Sequence, residues 1–182
     1  GKGKVSCEKE LFEYDTEEFT TIAVRAASVC GYSPRMRLDL TINRMVHDAF
    51  HKGVITIAGG NQIRSHIHLD DLCDFYKLLL ITPKEFVSGQ AFNLVTDNQK
   101  VIDSAQMVRG KFTLMDKFVQ INRTAIVDDR SYAVDGRKVN VLGYAPKKSI
   151  SNAVDDIIIK FDSGYWKDSL TNPIYQNMAT PS

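Results

Sequence analysis

Arg64 stands four residues after a glycine pair, in the stretch Gly59-Gly60-Asn61-Gln62-Ile63-Arg64-Ser65-His66-Ile67-His68-Leu69-Asp70-Asp71. An arginine offers a rigid planar fork of donors that matches phosphate or carboxylate oxygens two at a time. Glycines allow backbone angles that bring the main chain close to a ligand. The same stretch carries a second candidate chemistry. His66 and His68 are two apart, so on a strand they share a face, and Asp70 and Asp71 follow. Imidazoles and carboxylates so placed can hold a divalent metal. Each reading has a plainer rival. Arg64 can simply pair with Asp70 or Asp71 at a surface. The metal set lacks further ligands, because His47 and His51 lie on a different element, one helical turn apart.

The elements that position these residues follow from hydrophobic spacing. Residues 4–14 read as a helix with Val5, Leu11 and Phe12 on one face. It has no N-cap, and Gly1 to Gly3 are poor helix formers. Residues 20–29 suit one buried strand, in which Arg25 needs an acidic partner. Gly31-Tyr32-Ser33-Pro34 breaks it. Leu38, Leu40, Ile42, Met45, Val46, Ala49 and Phe50 have helical spacing, and Gly53 ends that helix. Residues 54–58 and 66–69 read as strands. Asp70 or Asp71 is then the N-cap of a helix over 72–80, stopped by Thr82-Pro83. Further along come a strand over 90–95, a helix over 101–109, a strand over 117–126 and a short helix over 132–142 ended by Gly143. A last helix over 150–161 carries Ile150, Val154, Ile157, Ile158 and Phe161 on one side, and the polar tail from Ser169 is read as extended or disordered. Alternating strands and helices favour an α/β fold.

Composition narrows the function classes. A net charge of +1 gives no electrostatic case for nucleic acid or an acidic membrane surface. No apolar run approaches the roughly 20 residues of a membrane-spanning helix. The three cysteines, Cys7, Cys30 and Cys73, are too few and too scattered for a disulfide framework. They read as buried or half-buried thiols.

Four segments, in order, give the chain a resemblance to a known family. They are TIAVRAASVCGY from Thr21, RLDLTIN from Arg37, GGNQIRSHIHLDDL from Gly59, and DDRSYAVDGRKVNVLGYAPK from Asp128. Together they resemble the C-terminal half of an extended short-chain dehydrogenase/reductase, the group of NAD-dependent nucleotide-sugar epimerases and dehydratases. Each alone is a weak signal; the combination is specific. The resemblance implies an α/β fold made of the C-terminal portion of a Rossmann-like doubly wound sheet, interleaved with a small α/β substrate-binding lobe. Residues 1–33 and 59–97 then belong to the Rossmann-like part, 34–58 and 98–168 to the lobe, and 169–182 to an extended tail.

The resemblance also implies roles. The family's Tyr-x-x-x-Lys motif opens a helix ahead of the Arg-containing strand, so Lys4 matches the motif Lys, which binds the nicotinamide ribose and lowers the Tyr pKa. The Tyr itself falls one residue before Gly1, and the glycine-rich turn that binds the dinucleotide pyrophosphate has no counterpart. The expectation is therefore a fragment, inactive alone, whose partner is a missing N-terminal half. Arg64 and Arg130 would hold the substrate pyrophosphate, with Asn43, Asn93, Gln62 and Ser28 nearby. Arg130 can instead form a surface salt bridge with Asp128 or Asp129, and Asn43 and Asn93 can be local caps. Asp71 is expected to cap rather than bind. Ser28 and Cys30 replace the family's usual Asn and aromatic residue, and Tyr32-Ser33-Pro34 lengthens the turn, which affects the sugar-facing contacts. The cofactor implied is NAD or NADP, the location cytoplasmic, the parent a homodimer, with no nucleic acid or membrane partner. Two alternatives stand beside this: a non-catalytic sugar-nucleotide binding or assembly module, and a metal-dependent hydrolase using His66 and His68.

Overall fold

A computed structural model describes residues 2–126, 128 and 130–175. In chain order the elements are α1 (Lys2–Glu13), β1 (Ile22–Ala26), β2 (Ser28–Cys30), α2 (Thr41–Lys52), β3 (Val54–Ala58), β4 (Ile63–His68), α3 (Leu69–Ile81), β5 (Gln90–Leu94), β6 (Asp97–Lys100), α4 (Val101–Thr113), β7 (Gln120–Thr124) and α5 (Ile150–Asp162). Single turns of 3₁₀-helix cover Lys84–Phe86 and Pro173–Tyr175, and a longer one covers Arg137–Leu142. No helix among the described residues is long and apolar enough to cross a membrane.

The strands form three ladders. β1 pairs in parallel with β5, β3 in parallel with β7, and β4 lies between parallel β2 and antiparallel β6. The stretch expected as one strand over 20–29 is therefore two. At Ala27 the chain leaves β5, its N–H still bonded to the Leu94 carbonyl at 2.9 Å, and joins β4 with Ser28 opposite His66.

Two hydrophobic clusters hold the elements. One gathers Ile42, Val46 and Ala49 of α2, Ile55 and Ile57 of β3, Ala105, Val108 and Phe112 of α4, and Ile157 and Phe161 of α5, closed by Trp166. The other gathers Ile67 of β4, Phe75 and Leu79 of α3, Phe92 and Leu94 of β5, and Val139 and Tyr144. Every apolar position expected on the face of α5 is buried. Ser149 caps that helix, its hydroxyl accepting the Asn152 N–H at 3.2 Å while Asn152 reaches back to the Ser149 N–H at 2.9 Å. Gly53 ends α2 in the left-handed conformation (φ 63°), as its position implied.

Five expectations need correction. The tail from Ser169 is not extended as far as Tyr175: residues 169–171 turn and Pro173–Tyr175 form a 3₁₀ turn. The N-cap of α3 is His68, whose Nδ1 accepts the Asp70 N–H at 3.1 Å; Asp71, inside the first turn, spends its carboxylate elsewhere. Residues 132–136 are not helical. Their backbone is pinned sideways instead: Tyr132 N–H to the Ile63 carbonyl, and Val134 to the Asn98 side chain by its N–H and its carbonyl. Arg25 is not buried; its side chain is 54% exposed and it pairs with Glu8 of α1. Cys7 and Cys73 are exposed, leaving Cys30 as the buried thiol. Arg25 and Cys7 have a common cause. α1 buries none of its residues, and β1 has only β5 beside it among the described strands.

Candidate functional site

The glycine pair makes a tight corner between β3 and β4. Gly59 and Gly60 both have positive φ (68° and 135°), and a Cβ on Gly59 would come within 2.9 Å of the Gln62 side chain. Gln62 holds that corner. Its Oε1 accepts the Gly60 N–H and its Nε2 donates to the Ala58 carbonyl, each at 2.6 Å. The expected ligand contact is thus a turn brace whose amide already serves the backbone.

Arg64 leaves the corner on β4 and is buried, 8% exposed. Its Nη1 donates to the Ile63 carbonyl at 3.0 Å and to the Arg130 carbonyl. Its Nη2 donates to Asp128 Oδ2 at 2.6 Å. The partner anticipated among Asp70 and Asp71 is therefore Asp128. Arg130 grips the same carboxylate from outside, Nε to Oδ1 at 2.8 Å and Nη2 to Oδ2 at 3.0 Å. This is the surface pairing weighed for Arg130; Asp129, the other partner weighed, lies outside the described residues. Arg130, with Arg64 behind it, holds the Asp128 carboxyl well below the usual carboxylate range. The Tyr132 ring lies over the Arg64 guanidinium, 5.3 Å from its carbon to the ring centroid.

Two clefts meet this arrangement. One, about 410 Å³, is lined by Gln62, Arg64 and Asp128 together with Arg44, Asp48 and Thr124, whose hydroxyl is buried without a hydrogen-bonding partner. The other, about 510 Å³, brings together Lys4, Arg25, Ser28, Arg37, Asn93 and Tyr132. Lys4, Ser28 and Asn93, separated widely in sequence, thus share one cleft, and Tyr132 links it to Arg64. Asn93 donates to the Asp135 carbonyl at 3.1 Å. Asn43 is elsewhere and buried. It accepts the Gly31 N–H at 3.3 Å and donates to the Arg37 carbonyl at 3.1 Å, which fixes the turn after β2. Sequence reasoning missed Tyr132, Arg37 and the double role of Asp128. The first two sit inside quoted motifs; the Arg64–Asp128 contact spans 64 positions and leaves no local trace.

His66 and His68 do not form a shared ligand set. His66 is buried and its ring nitrogens have no aligned partner. Burial pushes its pKa down to about 4, the facing Ser28 backbone offsetting part of that and the Arg64 charge adding to it. His68, Asp70 and Asp156 do offer ligand atoms within 4.8 Å of one another. The cation between those carboxylates is Lys148, whose Nζ is 2.5 Å from Asp70 and 3.6 Å from Asp156. His68 Nε2 lies 3.2 Å from Asp156 without hydrogen-bond alignment. Since Nδ1 accepts from the backbone, the neutral ring carries its proton on Nε2.

Ladders of parallel strands with helices packed against them, and a glycine corner leading to a buried arginine, define an α/β chain of Rossmann-like type. A profile of the NAD dependent epimerase/dehydratase family matches residues 1–94, and the chain belongs to that family. Solved structures share the fold. A dTDP-glucose 4,6-dehydratase from Bacillus anthracis in complex with NAD superposes with a TM-score of 0.70 at 19% identity, over 88% of this chain and 51% of that one. A UDP-glucuronic acid 4-epimerase from Bacillus cereus, in complex with UDP-glucuronic acid and NAD, gives 0.62 at 21%, over 78% and 46%. An epimerase from Methanothermobacter thermautotrophicus gives 0.72 at 16%, over 93% and 50%. The chain spans about half the length of these structures.

The described residues fit a nicotinamide dinucleotide only at one margin. Lys4 is exposed at the cleft and makes no ion pair among them, so its ammonium is available to a ribose. No strand, glycine-rich turn and helix of the kind that seats a dinucleotide pyrophosphate accompanies it.

Proposed function

We propose that this chain supplies the nucleotide-sugar site of an NAD(P)-dependent epimerase, dehydratase or reductase that acts by hydride transfer at a sugar carbon. The observation that carries the reading is the convergence of Arg64 and Arg130 on a single anion beside the Gly59-Gly60 corner. In this reading the two guanidiniums grip the substrate diphosphate, one buried, the other exposed at the rim. Ser28, Asn93 and Tyr132 face the sugar. Gln62 and Asn43 position the two turns around it. Lys4 orients the nicotinamide ribose; the cofactor, when bound, accepts the hydride. Residues 1–33 and 59–97 form the Rossmann-like part and 34–58 and 98–168 the lobe, a division that most members of the two hydrophobic clusters follow and that Cys30, Val139 and Tyr144 cross. Three free thiols favour a cytoplasmic setting.

Hydride transfer needs a proton-transfer group and a seat for the dinucleotide. No glycine-rich strand, turn and helix is found among the described residues, so in this reading the chain by itself binds the nucleotide sugar without turning it over. Calorimetric titration with UDP and UDP-glucose tests this. Wild type is expected to bind, and Arg64→Ala to bind at least about tenfold more weakly, the loss of a charge-assisted contact. A folded wild type that binds no nucleotide diphosphate or nucleotide sugar overturns the reading.

A further inference from the structure

The anion that Arg64 and Arg130 share is part of the chain. Asp128 lines the same cleft, its side chain 21% exposed, and presents both carboxylate oxygens to the two arginines. Arg64 does not depend on it for orientation. The Nη1 side of that guanidinium is fixed by the carbonyls of Ile63 and Arg130, and Tyr132 covers its face. Only the Nη2 contact is made to a charge. A guanidinium this buried needs an anion opposite it at all times. Arg130 is the exposed member, its side chain 82% accessible.

We propose that Asp128 is an internal counter-anion of the diphosphate site: its carboxylate occupies the arginine pair in the free chain and is exchanged for the ligand's phosphate oxygens on binding. The proposal rests on the reading of Arg64 and Arg130 as the diphosphate grip. It adds a consequence for affinity. A carboxylate on the same chain competes at a high effective concentration, in the millimolar range or above by analogy with short linkers. A diphosphate can engage both arginines at once and wins the exchange. Asp128 therefore lowers affinity for every anion that must displace it, by the same factor for each.

The test is calorimetry on the whole chain with UDP and UMP as probes, for wild type, Asp128→Asn, Asp128→Glu and Arg64→Ala. Asp74→Asn serves as a control of equal charge change; Asp74 pairs with Lys77 on the exposed face of α3. Asp128→Asn is expected to bind UDP about three- to tenfold more tightly than wild type and to tighten UMP by no more than the same factor. Asp128→Glu and Asp74→Asn are expected to stay within about twofold of wild type. If wild type binds UDP, Arg64→Ala loses it, and Asp128→Asn binds equally or more weakly, the counter-anion is refuted while the diphosphate site stands. If no variant binds UDP, both fall. A measurement on wild type keeps the question open to refutation should Asp128→Asn fail to fold. The Asp128 carboxyl resonance, followed by NMR through an acid titration, should titrate at higher pH with UDP bound than without. An unchanged titration under saturating UDP overturns the exchange.

Discussion

Tyr144 donates its hydroxyl to the backbone carbonyl of Asp71 at 2.6 Å, and the Asp71 carboxylate accepts the N–H groups of Lys147 and Lys148 at 2.9 Å each. The first turn of α3 is thereby tied to the segment that leads into α5. Asp71 is 2% exposed, and its two carboxylate bonds are part-buried. Replacing it with Ala removes both acceptors and is expected to cost about 1–3 kcal/mol. Urea denaturation of Asp71→Ala checks this; a loss below about 0.5 kcal/mol would show that the tie contributes nothing.

His66 makes stability depend on pH. Its folded pKa is depressed to about 4 against an ordinary 6.5, because burial disfavours the charged ring. Below pH 6.5 the unfolded chain binds a proton that the folded chain refuses, so the unfolded state holds more protons. Stability therefore falls as pH drops from 6.5 toward 4, by on the order of 2 kcal/mol from this one group. Urea titrations at pH 7 and 4.5 should show wild type losing more than His66→Gln by that amount; parallel losses would exclude His66 as the source.

α1 is held chiefly by one exposed ion pair. None of its residues is buried, and Glu8 receives the Arg25 guanidinium with both oxygens. Arg25→Ala should change global stability by less than about 1 kcal/mol. It should nevertheless speed amide exchange throughout residues 2–13, because the helix opens locally. Hydrogen exchange read by mass spectrometry distinguishes this from global unfolding, in which β4 and α5 would exchange faster too.

β1 offers an open edge among the described residues, and Val5 and Phe19 lie exposed nearby. An unpaired parallel edge with apolar surface invites association. Sedimentation should show mass rising with concentration, and a mixture of the purified chain with NAD and a nucleotide sugar should form no NADH. A monodisperse monomer, or tight stoichiometric NAD binding, would contradict these expectations.

The sequence carried the local logic well. The α5 stripe, the Gly53 and Gly143 stops and the strands of β3 and β5 depend on short-range spacing, and each stands where that spacing put it; α2 starts only at Thr41, leaving Leu38 and Leu40 of its expected stripe outside the helix. What escaped was decided at a distance. Ala27 divides a strand because β5 and β4 compete for it. Asn98 pulls residues 132–134 out of helix. Cys7 is exposed because α1 packs against little. Asp128 joins two arginines, one of them two residues away and the other 64. Lys4, Ser28 and Asn93 were named from motif position alone. Their common cleft is a property of the folded chain.

The two hydrophobic clusters interleave along the chain, and this bears on how the protein is made. One cannot close until Trp166 arrives, the other until Val139 and Tyr144 do, although their earliest members are Cys30 and Ile22. A ribosome must therefore deliver most of the polypeptide before either half can shield its apolar strands. Until β5 and β7 emerge, the nascent chain presents β1 and β3 without their partner strands, a wait set by topology.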